Sequence, residues 1–177
     1  MGWAVILLPD AEGRRQAERV WRAVRDAGFP SMLFEGDNQP HISLTVLNAQ
    51  DGSLQGIAEA FAARVLPLTV SFGYTGSFGG EVIYLAPEPR AALYEMNRSL
   101  TSSLGALAAL ADSRYLPGNF QPHLTVAFKI QGESYNSTLQ AVKASFIPFT
   151  TCFDRLAVVK FNPVKVVHII PLSGNLT

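Results

Sequence analysis

Two short phrases hold the residue types that can move protons at phosphorus. One is Gln39-Pro40-His41-Ile42-Ser43-Leu44 and the other is Gln121-Pro122-His123-Leu124-Thr125-Val126. Their histidines stand 82 positions apart in a chain with one further histidine, His168. On a strand, residues i and i+2 share a face with Cα atoms roughly 7 Å apart. His41 with Ser43, and His123 with Thr125, each then present an imidazole and a hydroxyl to one space. An imidazole with an ordinary pKa of about 6.5 can take or give a proton near neutral pH. In-line displacement at phosphorus needs a base on the entering oxygen and an acid on the leaving oxygen, on opposite sides. Two facing copies supply both, with two hydroxyls left for the non-bridging oxygens. His41 and His123 are therefore the candidate acid–base pair, and Ser43 and Thr125 the candidate phosphate ligands; either histidine can take either role.

Other chemistries find less support. A metal site has only His168 as a third imidazole, with no His-x-x-x-His or acidic cluster, so neither metal nor cofactor is expected. The Gly-x-Ser-x-Gly signature of many serine hydrolases is absent. Cys152, the only thiol, cannot form an intrachain disulfide and reads as core within the apolar run 149–156. The glycine-rich segment 73–80 lacks the lysine and following helix of a phosphate-cradling loop and reads as a hairpin turn.

The 177 residues, 48% of them apolar, suit one globular domain or two closely packed halves. Fourteen basic and fourteen acidic side chains cancel, which argues against a long duplex partner and leaves a nucleotide or short RNA end. The apolar start, 3–8, has no basic flank and is too short to cross a membrane. The expectation is a soluble, cytoplasmic monomer that binds no membrane.

The elements around the phrases follow from patterning. The run 3–8 reads as a buried strand, and Asp10 caps a helix that Gly28 and Pro30 stop. A loop then leads to the first phrase, where His41, Ser43 and Thr45 alternate with Ile42, Leu44 and Val46. A helix over 53–64, a strand over 67–74 and a returning strand over 81–86 follow. A long helix is expected over 89–110, ahead of the second phrase, where His123, Thr125 and Ala127 oppose Leu124, Val126 and Phe128. Thereafter come a helix over 133–144 and strands over 147–153, 156–161 and 164–170.

The repeat extends beyond the histidines. Leu66-Pro67-Leu68-Thr69 with Phe72 matches Ile147-Pro148-Phe149-Thr150 with Phe153 at an offset of 81. Val82–Pro87 matches Val166–Pro171 at 84, and the opening run Ala4–Pro9 has the shape of Val82–Pro87 at 78. Similar offsets at separated places predict two homologous lobes, roughly 1–87 and 88–177, with exchange of terminal strands between them allowed. His168 aligns with Tyr84, so the lobes do not require histidine there, and Thr45 matches Ala127, so its hydroxyl is dispensable.

His41-Ile42-Ser43-Leu44 and His123-Leu124-Thr125-Val126, on equivalent strands of two lobes, resemble the paired His-x-Ser/Thr motifs of the 2H phosphoesterase superfamily. Its members include 2′-5′ RNA ligase-like proteins and cyclic nucleotide phosphodiesterases. The turn and strand 77–85 are similar to the segment between the family's motifs, and neither motif departs from the pattern. The resemblance implies an α+β, bilobal, pseudo-two-fold fold, with two antiparallel sheets flanking a central cleft and helices outside. It also implies metal-independent chemistry on 2′,3′-cyclic phosphate or 2′-5′ phosphodiester groups, with His41 and His123 as acid and base and Ser43 and Thr125 on phosphate oxygens. Ligation, or binding of an RNA end without turnover, are the competing readings. Candidate substrate-lining residues are Phe34, Tyr84, Arg114, Tyr115, Phe120 and His168, chosen as aromatic or basic groups in the entry loops or mid-strand.

Overall fold

In a computed structural model, residues 2–29, 32–34, 36–48, 52–130, 132–161 and 163–174 are described. The strands are β1 (Gly2–Pro9), β2 (Ile42–Leu47), β3 (Leu68–Phe78), β4 (Val82–Glu88), β5 (Leu124–Phe128), β6 (Phe149–Phe161) and β7 (Lys165–Pro171). The helices are α1 (Ala11–Asp26), α2 (Leu54–Ala62), α3 (Arg90–Leu104) and α4 (Ser134–Ser145). The expected α+β class holds, with every strand pair antiparallel.

The strands run in the order β1-β2-β5-β4-β3-β6-β7, and β6 also pairs with β1, so the pairing closes on itself. Its two halves repeat one register. In the first, Ala4 pairs with Val46 and Val5 with Thr45; the register then slips, and Ile6 pairs with Ser43 and Leu7 with Ile42. In the second, Val82 pairs with Phe128 and Ile83 with Ala127; after the same slip Tyr84 pairs with Thr125 and Leu85 with Leu124. Outer neighbours match too: Val159 stands beside Ala4 as Phe78 stands beside Val82.

The halves interlock. β6 lies beside β1 and β3 beside β4, so the third strand of each repeat unit, β1-β2-β3 or β4-β5-β6, pairs with the first strand of the other. Helix α1 packs on β5, and α3 packs on β2. Asp10 starts α1 by accepting from the Gly13 N–H at 2.8 Å, and Ala17, Val20, Trp21 and Val24 form the buried face that the spacing predicts. Trp21 Nε1 donates to the Thr125 carbonyl at 3.0 Å. At the corresponding place, buried Asn97 of α3 donates through Nδ2 to the carbonyls of Leu44 and Tyr115, each at 2.8 Å. Each motif strand is thus held by a side chain from the opposite half.

Three expected boundaries differ from the structure. The helix over 89–110 ends as α-helix at Leu104, because Gly105 adopts φ +55° and turns the chain into a 3-10 segment, Gly105–Leu110. The hairpin turn expected over 73–80 is confined to its end, since β3 continues through Phe78. There Gly76 lies under the Tyr84 ring, which a Cβ would meet at 2.4 Å. The two strands expected over 147–153 and 156–161 are one, β6, whose length lets it pair with β3, β1 and β7.

Asn97→Ala strands two buried carbonyl acceptors at the junction between the halves. It should destabilise the protein by about 2–3 kcal/mol, measured by urea unfolding; a loss smaller than about 0.5 kcal/mol would contradict the role assigned to this side chain.

Candidate active site

β2 and β5 touch through one backbone pair, Ile42 opposite Leu124. Both side chains are fully buried, so the residues flanking them turn to the opposite face. Continuing the antiparallel register by one residue sets His41 against Thr125 and Ser43 against His123. All four line one cavity of about 460 Å³. The structure therefore brings the four sequence-predicted groups together.

The alternation does not persist along either strand. The register slip in each half turns Thr45, 1% exposed, and Ala127 into the core and brings Val46 and Phe128 to the cleft. The expectation that Thr45 shares the face of His41 and Ser43 is corrected accordingly. Strict alternation also puts Phe128 on the inward face, yet it is 41% exposed in the cleft. Only the pairing partners reveal a bulge, so strand periodicity alone misses this residue.

Each imidazole is oriented by its own entry phrase. His41 Nδ1 lies 2.7 Å from the Gln39 carbonyl, and His123 Nδ1 lies 2.7 Å from the Gln121 carbonyl. A carbonyl oxygen can only accept, so Nδ1–H donates and Nε2 is left to exchange protons with a ligand. Burial pushes the pKa of His41 below its ordinary value, with the charge of His123 acting the same way and the Gln39 carbonyl opposing. Burial likewise lowers His123, opposed by the Gln121 carbonyl and reinforced by Arg114.

A second cavity of about 420 Å³ adjoins the first and shares Tyr115, His123, Thr125 and Phe128 with it. The first opens over an aliphatic wall of Ala4, Ile6, Val46 and Val159. The second is bounded by Phe78, Val82 and Phe128, with Arg114, Asn119 and Gln121 supplying polar groups. Through the repeated register, Phe78 takes the place of Val159 and Phe128 that of Val46. At these two positions one half carries aromatic side chains and the other aliphatic ones, while Phe161 also lines the first cavity. Asp37 and Lys129 add charge at the first cavity; Lys129 has φ +58°, and its Nζ stands 5.7 Å from the centre of the Phe128 ring.

The remaining candidate residues divide. Tyr115 lines both cavities, sharing the first with Ser43, and burial raises the pKa of its hydroxyl. Arg114 reaches the second cavity while paired through Nη2 with Asp112 Oδ2 at 2.6 Å. Tyr84 lies behind it, stacked on Phe78 with ring centres 4.4 Å apart and 5.6 Å from the His123 ring. With Tyr84, four of the candidates line neither cavity. Phe120, 4% exposed, is packed between Tyr94 and Tyr115. Phe34 lies against Trp21 and beneath Arg25 of α1. His168 of β7 faces α2 and meets Glu59 at 3.0 Å. Phe78, absent from the sequence candidates, lines the second cavity with its ring 4.9 Å from that of His123. Cys152, expected in the core, is half-buried beside Asp10 at the start of α1, outside both cavities, and burial raises its thiol pKa. Among the described residues no three His, Cys, Asp or Glu side chains converge as a metal site, and no helix is long and apolar enough to cross a membrane.

The profile of the family described as the 2'-5' RNA ligase superfamily matches residues 9–164. The fold is similar to that of TT0787 of Thermus thermophilus, with a TM-score of 0.65 and 17% identity over 99% of this chain and 100% of that one. It is also similar to E. coli LigT complexed with 3'-AMP, with a TM-score of 0.62 and 16% identity over 97% of this chain and 96% of that one. The MHV ns2 PDE domain aligns at a TM-score of 0.58 and 14% identity, over 91% of this chain and all of that one. No curated protein matches the sequence. At such identities the solved structures establish the fold.

The buried histidines carry a direct test. In a proton NMR titration, both His41 and His123 should show midpoints below about 6.5. Arg114→Ala should raise the His123 midpoint and leave that of His41 in place. A midpoint for either histidine above about 7 would contradict the environment described.

Proposed function

The chain belongs to the 2′-5′ RNA ligase superfamily, and from that membership we propose that it is a metal-independent phosphoesterase. Its substrate would carry a 2′,3′-cyclic phosphate or a 2′-5′ phosphodiester, on a nucleotide or a short RNA end. The observation that carries this reading is the convergence of His41, Ser43, His123 and Thr125 on one cavity wall. We further take the chain as one two-lobed unit, roughly 1–87 and 88–177, with terminal strands exchanged between the lobes.

In the proposed reaction one histidine accepts a proton from water as the water oxygen bonds to phosphorus. The bond from phosphorus to the departing ribose oxygen breaks, and the other histidine gives that oxygen a proton. A cyclic phosphate yields a phosphate monoester by this step. Ser43 and Thr125 donate to the non-bridging oxygens, where charge accumulates in the transition state. The near-symmetry of the cleft lets the two histidines exchange roles between forward and reverse reactions.

Two further observations support a nucleotide substrate. The aromatic pair Phe78 and Phe128 of the second cavity suits base stacking, which contributes ~1–3 kcal/mol per base. In addition, solved structures of E. coli LigT contain 3'-AMP and NADP+. A net charge of zero favours a short ligand over an extended one.

Purified protein should hydrolyse a 2′,3′-cyclic nucleotide or a 2′-5′ dinucleotide in EDTA; saturable binding without product would overturn the reading. His41→Ala and His123→Ala should each lower kcat by ~10²–10⁴-fold while the fold is retained. Both imidazole pKa values are lowered, so the singly protonated pair predominates below neutrality and both rings are neutral at higher pH. The bell-shaped profile of kcat/KM should peak on the acid side of about pH 7, and a maximum above about pH 8 would count against the two-histidine scheme.

A further inference from the structure

We propose that a third cavity, beside α3, is a subsite for the neighbouring nucleotide of an RNA end, so that the substrate is an oligonucleotide rather than a mononucleotide. The subsite rests on the phosphoesterase reading for the place of the reacting phosphate and adds a binding surface outside the two cavities of the cleft.

The repeat shows that the cleft is closed at one end. Gly36 and Gly118 precede the two motifs at the same offset as the histidines, and both take positive φ, +62° and +95°. The loop at Gly36 is covered. A Cβ there would meet the Val164 carbonyl oxygen at 2.6 Å. The next residue, Asp37, clasps the start of β7: its N–H donates to the Val164 carbonyl at 3.2 Å, and its Oδ2 accepts from the Val166 N–H at 3.2 Å. At the offset of 84, Val164 and Val166 correspond to Gly80 and Val82 at the start of β4.

The other end is open. Asn119 takes the place of Asp37, yet its bonds turn back into its own loop. Its N–H donates to the Leu116 carbonyl and its Nδ2 to the Ser113 carbonyl, each at 3.1 Å. A Cβ at Gly118 would meet nothing within 4 Å. Asn119 and Val82 line the second cavity, where their counterparts Asp37 and Val166 are bonded to each other. Asn119 and Gln121 also line a third cavity of about 350 Å³, so the open end of the cleft continues into it.

The wall of this third cavity has the groups that hold one nucleotide of a single strand. Tyr94 of α3 is 38% exposed, and its ring rests edge-on against buried Phe120 with centres 6.1 Å apart. A tyrosine so placed can stack a base. Arg98, one turn further along α3, meets Glu95 through Nη1 at 2.8 Å, and both side chains of that pair are about two-thirds exposed. Such a pair is weak in water, and the guanidinium keeps further N–H donors for a phosphate. The Asn119 and Gln121 amides suit base edges and ribose hydroxyls. With the reacting phosphate at the histidines and the terminal base beside Phe78 and Phe128, the preceding nucleotide falls at Tyr94 and Arg98. A net charge of zero agrees with a track this short.

The test uses the full-length protein and adenylate mono-, di- and trinucleotides that end in a 2′,3′-cyclic phosphate. From mono- to dinucleotide kcat/KM should rise about 5- to 150-fold, the range of one stacked base, and the third nucleotide should add less than about 3-fold. Arg98→Gln, an exposed change that leaves the fold intact, and Tyr94→Leu should each remove most of that gain while altering mononucleotide turnover less than about 2-fold. Equal rates for mono- and dinucleotide, a gain that survives both replacements, or the same loss on every probe would overturn the subsite. Titration calorimetry with the 3′-phosphate-ended mono- and dinucleotide separates the two readings. Wild-type protein that converts no probe, yet binds the dinucleotide more tightly with the difference lost in Arg98→Gln, removes the phosphoesterase reading and keeps the subsite. Neither turnover nor a difference in binding overturns both.

Discussion

A single backbone pair, Ile42 with Leu124, sets the spacing of the site. Its two side chains are buried, so the four polar side chains on either side of the pair must face the cleft. Antiparallel register then places each imidazole opposite the hydroxyl of the other motif. Longer pairing would draw the strands together and close the space that a phosphate needs. One pair holds the motifs in register while β2 pairs mainly with β1, and β5 with β4.

So brief a contact requires support from elsewhere, and the interlocked topology provides it. β6 runs beside β1, while β3 runs beside β4 and also pairs with β6. Behind the motif strands, Trp21 reaches the Thr125 carbonyl and Asn97 the Leu44 carbonyl, each from the opposite half of the chain. These polar contacts satisfy backbone acceptors at the junction while fixing where each motif strand lies. The same Asn97 holds the Tyr115 carbonyl, so one side chain fixes both a motif strand and a residue that lines both cavities.

Duplication and divergence thus divide the cleft's properties. The backbone register, the bulges and the carbonyl contacts of the two imidazoles are repeated, and they define the symmetric part. Divergence is concentrated in side chains around that centre: Phe78 for Val159, Phe128 for Val46, Tyr115 for Leu33. A phosphate is nearly symmetric, whereas the groups it joins are not. A symmetric centre between unlike walls matches that chemistry.

The motif residues, the α+β class and the duplication are all readable from the amino-acid order, because they are written in local spacing: a histidine and a hydroxyl two apart, periodic apolar faces, and recurring offsets. Asp10 is legible as a helix cap for the same reason, since its partner lies three residues away. Which other residues meet the phosphate site depends instead on contacts distant in sequence. Phe128 reaches the cleft and Thr45 leaves it because each strand slips register against a neighbour from another part of the chain. Phe120 is buried although its loop position suggests exposure, and His168 turns to Glu59 because β7 packs against α2. Tyr115 is one aromatic candidate among several until the fold places it on the same cavity as Ser43, 72 residues earlier. Local periodicity says which face a residue prefers, but the partner strand decides where that face points.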